Sequence, residues 1–272
     1  MTLDRELELA RKLALEAGEI ARRLQAVGIK VDRKAGNEPV TQADRDASDH
    51  IVRALAEAFP DDSILSEEAP PDATRFTHPR VWMVDPIDGT KDFIRGEDGY
   101  ATMIGLLIGD EPALGAVYQP IGDRLYFAAV GAGAWFSEKR ATPVRMSTST
   151  IADPEQIRMV ASKSHRGPEI DRVRQVLKIS DELNVGSVGL KMGLIARGVR
   201  DLYVNPSSHA KLWDTCGPEA ILREAGGRVT DACGRPLNYR GEALGHLSGI
   251  IASNGALHAT VVEKLAPLFK DQ

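Results

Sequence analysis

Apolar residues in the first part of the chain recur at helical spacing. Between Leu3 and Leu24 they return every three or four positions, which places them on one face of an amphipathic helix that ends near Gly28. A second pattern of this kind runs through residues 40–59 and stops before Pro60. The spacing therefore predicts two amphipathic helices, each with one face turned toward a core.

From residue 80 onward the pattern changes to short apolar runs. The run V-W-M-V-D-P predicts a strand that ends at Asp85. Residues 101–136 hold further apolar runs separated by turns that contain Gly, Pro and Asp, and this arrangement predicts an antiparallel meander. A polar, proline-containing segment then marks a predicted boundary between an N-terminal half, residues 1–140, and a C-terminal half, residues 141–272.

Strand-like and helix-like runs alternate in the C-terminal half. Strands are predicted at I-R-M-V-A-S, D-L-Y-V, R-V-T-D and G-I-I-A-S. Helices are predicted at P-E-I-D-R-V-R-Q-V-L-K-I, V-G-L-K-M-G-L-I-A-R-G, P-E-A-I-L-R-E-A-G-G and A-T-V-V-E-K-L-A-P-L-F. Such alternation indicates a layered half, so the whole chain is predicted to be an α/β protein.

Composition narrows the class of protein. The chain has 272 residues, of which 43% are hydrophobic and 27% charged, so it can bury a substantial core. Its net charge of −5 argues against a nucleic acid polymer as the partner. Two cysteines, Cys216 and Cys233, are too few for a disulfide scaffold or a four-cysteine zinc site. Frequent charges near the N-terminus and the lack of a bilayer-length apolar run predict a cytoplasmic protein with no membrane partner.

The segment D-P-I-D-G-T, residues 85–90, carries the strongest chemical signal. A proline and a glycine tighten this turn, so that Asp85 and Asp88 can converge with the Ile87 carbonyl between them. Carboxylate and carbonyl oxygens suit Mg²⁺, and the Thr90 hydroxyl could hold a water molecule. The same residues are also ordinary in a turn with solvated carboxylates, and the motif alone does not decide between these interpretations.

Three further acidic positions have ordinary explanations when each is taken alone. Glu67-Glu68 is explained as a solvated loop, Asp44 as a helix cap, and Asp214 as the N-cap of the following helix. Periodicity does not show whether these places meet in space. Other chemistries find no support, since the chain lacks G-x-x-x-x-G-K-[ST] and H-E-x-x-H, and Cys216 has no arginine at the spacing that cysteine phosphatases need.

Taken together, these motifs resemble the inositol monophosphatase superfamily, a group of Mg²⁺-dependent, lithium-sensitive phosphomonoesterases. The resemblance is carried by D-P-I-D-G-T after an apolar strand, by S-E-E ahead of that strand and by W-D far beyond it. It covers nearly the whole chain. It implies an αβαβα sandwich with an antiparallel sheet in the N-terminal half and a mixed sheet in the C-terminal half.

Within that superfamily the chain resembles most the 3'(2'),5'-bisphosphate nucleotidases of the CysQ type. T-K-D-F after the acidic motif, the pair Ser164-His165 and Lys191 in G-L-K resemble that branch, in which such a lysine contacts substrate phosphate. Ser187 instead fits the G-S-A-A-L of inositol phosphatases, and histidinol-phosphate phosphatases can also carry T-K. Apart from the resemblance, Ser164-His165 is explained as a polar loop, and Lys191 as a helix residue whose charged end reaches solvent.

The resemblance implies a site for two Mg²⁺ ions, with a weaker third ion near Glu67. The first ion would be bound by Glu67, Asp85 and the Ile87 carbonyl. The second would be bound by Asp85, Asp88 and Asp214, so that Asp85 is shared. Two cations that share a ligand in this way would stabilise the attacking and the leaving oxygen of an in-line displacement.

The resemblance also implies how a phosphate ester would be hydrolysed. A metal-bound water would attack. Thr90, hydrogen-bonded to Asp44 or to Glu67, would orient this water and take up its proton. The sequence leaves this choice open. The N–H groups of Gly89 and Thr90 would hold the phosphate, and Asp214 would assist the leaving group.

The substrate that the resemblance implies is adenosine 3',5'-bisphosphate (PAP), a product of sulfur assimilation, which would lose its 3'-phosphate to give AMP. Inositol monophosphate, histidinol phosphate and fructose 1,6-bisphosphate are alternatives within the superfamily. A metal- or nucleotide-binding module without catalysis is an alternative from another class, and the presence of Thr90 and of all the acidic residues argues against it. We expect a small phosphorylated molecule as the partner of a monomer or a homodimer.

Overall fold

The computed structural model describes residues 2–34, 37–164 and 167–269. Its α-helices are α1 (Asp4–Val27), α2 (Gln42–Ala58), α3 (Thr90–Ile94), α4 (Pro168–Leu177), α5 (Val188–Ala196), α6 (Leu212–Glu224) and α7 (His258–Phe269). Its strands are β1 (Val31–Arg33), β2 (Pro39–Thr41), β3 (Ser63–Ser66), β4 (Arg80–Asp88), β5 (Ala101–Ile108), β6 (Glu111–Gln119), β7 (Arg124–Ala129), β8 (Gly133–Glu138), β9 (Val144–Arg145), β10 (Arg158–Ser162), β11 (Asp181–Val185), β12 (Leu202–Asn205), β13 (Arg228–Thr230) and β14 (Ile250–Ser253). Among these described segments, none of the helices is both long enough and apolar enough to cross a bilayer.

Two large sheets form the body of the molecule. The first has the order β3-β4-β5-β6-β7-β8-β9, with β3 parallel to β4 and the other neighbours antiparallel. The second has the order β11-β10-β12-β14-β13, in which β10 is parallel to both its neighbours and β14 is antiparallel to both of its own. The predicted meander and the predicted mixed sheet are therefore both present.

The helices and sheets form five layers. Successive side chains of a strand point to opposite faces of its sheet, so each sheet packs against helices on both faces. Along β4, Trp82 and Val84 pack with α1 and α2, whereas Val81 and Met83 pack with α5 and α6. Helices α5 and α6 also cover one face of the second sheet, and α4 and α7 cover its other face. The order of layers is α1/α2, first sheet, α5/α6, second sheet, α4/α7, so the predicted αβαβα sandwich is confirmed.

Three elements differ from the sequence predictions. Strand β4 continues to Asp88 through a bulge instead of ending at Asp85. Helix α6 begins at Leu212 and keeps Pro218 inside, because its burial between two sheets outweighs the hydrogen bond that a proline removes. Strand β11 was not predicted, because its sequence D-E-L-N-V is polar, as befits the exposed edge of a sheet.

The first sheet extends slightly beyond residue 140. Strand β9 pairs with β8 through Trp135 and Phe136, so residues 144–145 belong to the sheet of the N-terminal half. The division into residues 1–140 and 141–272 remains a prediction.

Glycines bring α6 into close contact with the first sheet. A Cβ atom on Gly115 of β6 would lie 2.0 Å from the Gly217 carbonyl oxygen, and one on Gly105 of β5 would lie 2.5 Å from the Gly217 nitrogen. A larger side chain does not fit, because it would meet backbone atoms that cannot rotate away. This contact sets how closely α6, and Asp214 near its start, approaches the sheet.

Gly115→Ala is expected to lower the free energy of unfolding by about 3 kcal/mol, the upper part of the usual range for overpacking, because the added methyl group meets backbone. Gly241→Ala is the matched control, since a Cβ there would meet only the Asn238 side chain, at 3.2 Å. Urea denaturation of both variants measures the difference. Equal stability of the two would contradict the packing argument.

Candidate active site

A cavity of about 360 Å³ opens where β4, β10 and β12 end and where α3, α5 and α6 begin. This volume lies within the range of small-ligand sites. The first turns of α5 and α6 border it, through Val188 and through Trp213 and Asp214. Because the helix dipole favours negative charge at a helix start, these two helix starts favour anionic groups at this border of the cavity.

The D-P-I-D-G-T segment folds into a tight turn at one wall of this cavity. The Ile87 N–H donates to Asp85 Oδ1 (3.0 Å), and the Thr90 hydroxyl donates to the Ile87 carbonyl (3.2 Å). Gly89 has a φ of +96°, and a Cβ atom there would lie 2.7 Å from a backbone carbonyl oxygen, so only glycine fits. The turn brings Asp85, Ile87 and Asp88 to the same wall.

Four acidic residues from three parts of the chain meet at this wall: Glu67, Asp85, Asp88 and Asp214, called the acidic cluster below. Glu67 directly follows β3, which is parallel to β4, and its N–H donates to a carbonyl of β4 (3.1 Å). Asp214 is the third residue of α6, and its Oδ2 accepts from the Lys211 N–H (2.9 Å). The fold thus brings together positions whose proximity the periodicity of the sequence could not predict.

Burial makes the carboxyl groups of the acidic cluster weak acids. It raises the pKa of Asp85 and of Asp214 well above the ordinary value, and the charges of the neighbouring carboxylates raise both further. Burial also raises the pKa of Glu67 and of Asp88, although a nearby lysine opposes each rise. A bound cation would relieve this repulsion and would favour the charged form of these carboxyl groups.

Lys34 lies beside one side of the acidic cluster. Its Nζ donates to Glu67 Oε1 (2.8 Å) and also to Glu68. Burial alone would lower the pKa of Lys34, but the two glutamates outweigh it and raise the pKa above its ordinary value. Glu67 and Glu68 are therefore not a solvated loop, because both are paired with this lysine.

Lys191 lies beneath the cavity, on the other side of the acidic cluster. It is 1% exposed, so its interpretation as a helix residue that reaches solvent is wrong. Its Nζ donates to the carbonyls of Gly186 (2.6 Å) and Val185 (3.3 Å), and lies 5.1 Å from the centre of the Tyr203 ring. Burial lowers the pKa of Lys191 to about 8, although nearby aspartates oppose the change.

Asp44 is both a helix cap and a partner of Thr90. It is the third residue of α2, and its Oδ2 accepts from the Thr41 N–H (2.8 Å) and hydroxyl (2.6 Å) in a capping box. Its Oδ1 lies 3.4 Å from the Thr90 hydroxyl, whose single proton is shared between this oxygen and the Ile87 carbonyl at 3.2 Å. Burial raises the pKa of Asp44, although the bonds from Thr41 oppose the rise. Of the two partners that the sequence left open for Thr90, the structure brings Asp44 within hydrogen-bond distance, whereas Glu67 is paired with Lys34.

The chemistry of the acidic cluster fits divalent metal ions. Carboxylate and carbonyl oxygens are the ligands that Mg²⁺ prefers, and the cluster offers both within one wall. In the described ranges, no group of three or more acidic, histidine or cysteine side chains is placed so that it could hold a metal ion. The hydrogen bonds explain why, since Glu67 is turned toward Lys34 and one oxygen of Asp88 is turned toward Ser187. A cation bound by Glu67 would compete with Lys34.

The sequence profile of the inositol monophosphatase family matches residues 2–268. The chain belongs to the inositol monophosphatase family. Members of this family are generally metal-dependent phosphatases, so the chain is a phosphatase of the same superfamily. The resemblance predicted from the motifs is confirmed.

Curated relatives of this inositol monophosphatase family protein carry different substrate names. The histidinol-phosphatase of Mycobacterium tuberculosis is 34% identical over 264 residues, 96% of this chain and 97% of that protein. The CysQ 3'(2'),5'-bisphosphate nucleotidase of Escherichia coli K12 is 37% identical over 207 residues, 76% and 81% of the two proteins. The inositol-1-monophosphatase of Bacillus subtilis is 26% identical over 94% of this chain and 95% of its own. Family membership therefore does not fix the substrate.

Solved inositol monophosphatases share the whole fold. The enzyme of Thermotoga maritima gives a TM-score of 0.83 at 25% identity and covers 98% of this chain and 99% of its own. The enzyme of Anabaena gives 0.80 at 25% identity, with 98% and 97% covered. These matches confirm the predicted α/β sandwich.

The predicted substrate-binding residues of this phosphatase have different surroundings. Gly89, Thr90 and Ser164 border the cavity. His165 lies outside the described residues. Lys191 also borders the cavity, although its ammonium group is bonded to the backbone. Their contacts with substrate, the number of Mg²⁺ ions, the oligomeric state and the cytoplasmic location remain predictions.

Two residues near the acidic cluster have no predicted role. Ser187 donates from Oγ to Asp88 Oδ2 (2.6 Å). Asp92 is 1% exposed and wedged between Gly99 and Gly186, where Cβ atoms would lie 1.9 and 2.2 Å from its Oδ2. Its carboxylate finds no hydrogen-bond partner in the described part of the chain, and burial raises its pKa. T-K-D-F marks Asp92 in the sequence, and Ser187 is marked by its fit to the G-S-A-A-L of inositol phosphatases.

Removal of divalent cations is expected to destabilise this protein more at high pH than at low pH. Because burial raises their pKa values from the ordinary 3.8 of aspartate, Asp85 and Asp214 hold protons in the folded chain that they lose in the unfolded chain. The free energy of unfolding without cations therefore falls as the pH rises from about 4 toward the raised values, and bound cations remove this loss.

The measurement is the melting temperature with Mg²⁺ and with EDTA between about pH 5 and about pH 8, in which range the gap between the two should widen. Asp85→Asn should flatten this widening, because it removes one of the titrating groups. Asp49→Asn, at an exposed position, is the control and should leave it unchanged. A gap that stays constant with pH in the unmodified protein would contradict the argument.

Proposed function

We propose that this phosphatase uses Mg²⁺ to hydrolyse the 3'-phosphate of PAP, giving AMP and inorganic phosphate. The observation that carries the phosphatase part is the acidic cluster, which meets at one cavity wall next to Thr90. Crowding four carboxyl groups in a partly buried place opposes folding. Such an arrangement is expected where the carboxyl groups bind cations together with a phosphate.

The residues of the acidic cluster would hold two Mg²⁺ ions together with the Ile87 carbonyl, with Asp85 shared. When bound, the ions would neutralise charge on the phosphate and supply an activated water. A third ion near Glu67 would have to compete with Lys34 for that carboxylate. Lithium sensitivity, which the family resemblance implies, is to be tested together with the Mg²⁺ dependence.

Thr90 and Asp44 would move the proton of the attacking water. The Thr90 oxygen can accept that proton while its own passes to Asp44 Oδ1, which lies 3.4 Å away. Thr41 holds the other oxygen of Asp44, so the accepting oxygen stays aimed at Thr90. Since burial raises the pKa of Asp44, this carboxylate is a better base than an exposed aspartate.

The phosphate would lie at the turn that precedes α3. The left-handed Gly89 and the following Thr90 would present their N–H groups to it, and Asp214 would assist the leaving alkoxide from α6. The fixed turn geometry gives these donors their positions before substrate binds, which lowers the cost of ordering the site.

The choice of PAP is supported by the branch motif and by the cavity. T-K-D-F resembles the motif of the CysQ branch, and the CysQ protein of Escherichia coli K12 is 37% identical to this chain. Lys91 and Ser164 also border the cavity, and an ammonium and a hydroxyl group suit a second phosphate. His165 and Lys191 are proposed to contribute further contacts.

Histidinol phosphate is a second candidate substrate. The histidinol-phosphatase of Mycobacterium tuberculosis matches 96% of this chain, a larger share than the 76% matched by that CysQ protein.

The decisive experiment is phosphate release from PAP, histidinol phosphate, inositol 1-phosphate and fructose 1,6-bisphosphate, each with Mg²⁺, with EDTA and with added Li⁺. We expect the highest kcat/KM for PAP, loss of turnover with EDTA and inhibition by Li⁺. A preference for histidinol phosphate would overturn the substrate and keep the phosphatase chemistry. Asp88→Asn should abolish turnover and stay folded, whereas Asp49→Asn should remain active.

Thr90→Val is expected to lower kcat by about 10²–10⁴, the usual contribution of a positioned proton-transfer group, and to leave KM nearly unchanged. Thr90→Ser keeps the hydroxyl and should retain most of the activity. Steady-state kinetics with the best substrate of the panel measures both variants. If Thr90→Val and Thr90→Ser lose the same activity, the hydroxyl has no part in proton transfer.

A further inference from the structure

The two carboxylate oxygens of Asp88 have different surroundings. Its Oδ2 accepts from Ser187 Oγ (2.6 Å) and from the Gly189 N–H (3.2 Å), both at the start of α5. Both of these hydrogen bonds end on Oδ2, and the residue borders the cavity. The start of α5 therefore holds one oxygen of Asp88 and leaves the other available to a cation.

The direction of the Ser187 hydrogen bond is fixed by a second contact. As N-cap of α5, Ser187 Oγ accepts from the Leu190 N–H (3.2 Å). A hydroxyl group has one proton, so with a lone pair engaged by Leu190 that proton goes to Asp88. Ser187 is fully buried, and no solvent competes for this bond.

The backbone around Ser187 is held on both sides. Its N–H donates to the Gly99 carbonyl (2.8 Å), and the preceding Gly186 carbonyl accepts from Lys191 Nζ (2.6 Å). Gly186 is also pressed against Asp92, whose Oδ2 would lie 2.2 Å from a Cβ atom on that glycine. The Ser187 hydroxyl is therefore a rigid donor from the C-terminal half to an acidic residue of the N-terminal half.

We propose that Ser187 is a positioning residue that orients Asp88 for divalent cation binding. The proposal rests on the metal-dependent function proposed above and adds a residue to it. Partners that orient a metal ligand commonly change metal affinity by about 10–100-fold when they are removed. Lys191 supports the same turn through Gly186, so a substitution of Lys191 would also disturb the position of Ser187.

Helix capping alone would be the purely structural explanation of Ser187. The two explanations are separable because glycine is nearly as good an N-cap as serine, whereas alanine is much poorer. Ser187→Gly therefore keeps most of the capping and loses the bond to Asp88. Ser187→Ala loses both, and Ser187→Thr keeps a hydroxyl at the same place.

The experiment is titration of the cation-stripped, full-length protein with Mn²⁺ by calorimetry, with a thermal melt of each variant. We expect Ser187→Ala and Ser187→Gly to raise the Kd for Mn²⁺ by about 10–100-fold, and Ser187→Thr to remain close to the unmodified protein. Excess Mg²⁺ should restore much of kcat in both deficient variants. Ser253→Ala is the matched control, since Ser253 is equally buried and bonded to His258 (2.9 Å), and it should leave the Kd unchanged.

The outcomes separate this proposal from the function on which it rests. If the unmodified protein binds no Mn²⁺, the metal-dependent function fails. If the unmodified protein binds Mn²⁺ and Ser187→Gly binds it equally well, the positioning role is overturned. A loss of melting temperature in Ser187→Ala without a change in Kd would leave only a capping role and would overturn the proposal too.

Discussion

Repulsion among crowded carboxylates is the constraint around which the cavity is built. The aspartates of the acidic cluster, and Asp44 next to Thr90, are each held by a donor from a nearby turn or helix start. The Ile87 N–H holds Asp85, and the N-cap backbone N–H groups of α2 and α6 hold Asp44 and Asp214 at 2.8 and 2.9 Å. These bonds favour the charged carboxylate and partly offset its burial, so the site keeps its order without neutralising every acid.

The five-layer fold supplies those helix starts. Because α5 and α6 lie between the two sheets, their positions are set by packing on both faces. Their N-termini reach the cavity from one side, while the end of β4 reaches it from another. The contact of Gly217 with the glycines of β5 and β6 then fixes α6 at a distance that side chains would not allow. Catalytic geometry here depends on backbone packing as much as on the acids themselves.

The sequence predicts those parts of the structure that depend on local order. Amphipathic spacing and turn residues predict α1, α2 and the meander, because one face of each element is buried. Such spacing does not predict the polar edge strand β11 or the early start of α6, because tertiary contacts decide both. The acidic motif is visible in the sequence, but its convergence is not. Neither is the burial of Lys191 nor the bond from Ser187 to Asp88, because both require the two halves to be packed together.

In the function proposed above, substrate choice and phosphate chemistry would use different parts of the cavity. The acidic cluster and Thr90 would meet only what every phosphomonoester shares, so they would not distinguish PAP from histidinol phosphate or inositol phosphate. Relatives named for these three substrates match most of this chain, as expected if they share the residues that act on the phosphate. Discrimination has to come from the remaining borders, where Ser164, Asn205 and His209 stand at the ends of strands and in loops. Loops tolerate change without disturbing the sandwich, so one fold can keep its metal chemistry while its substrate changes.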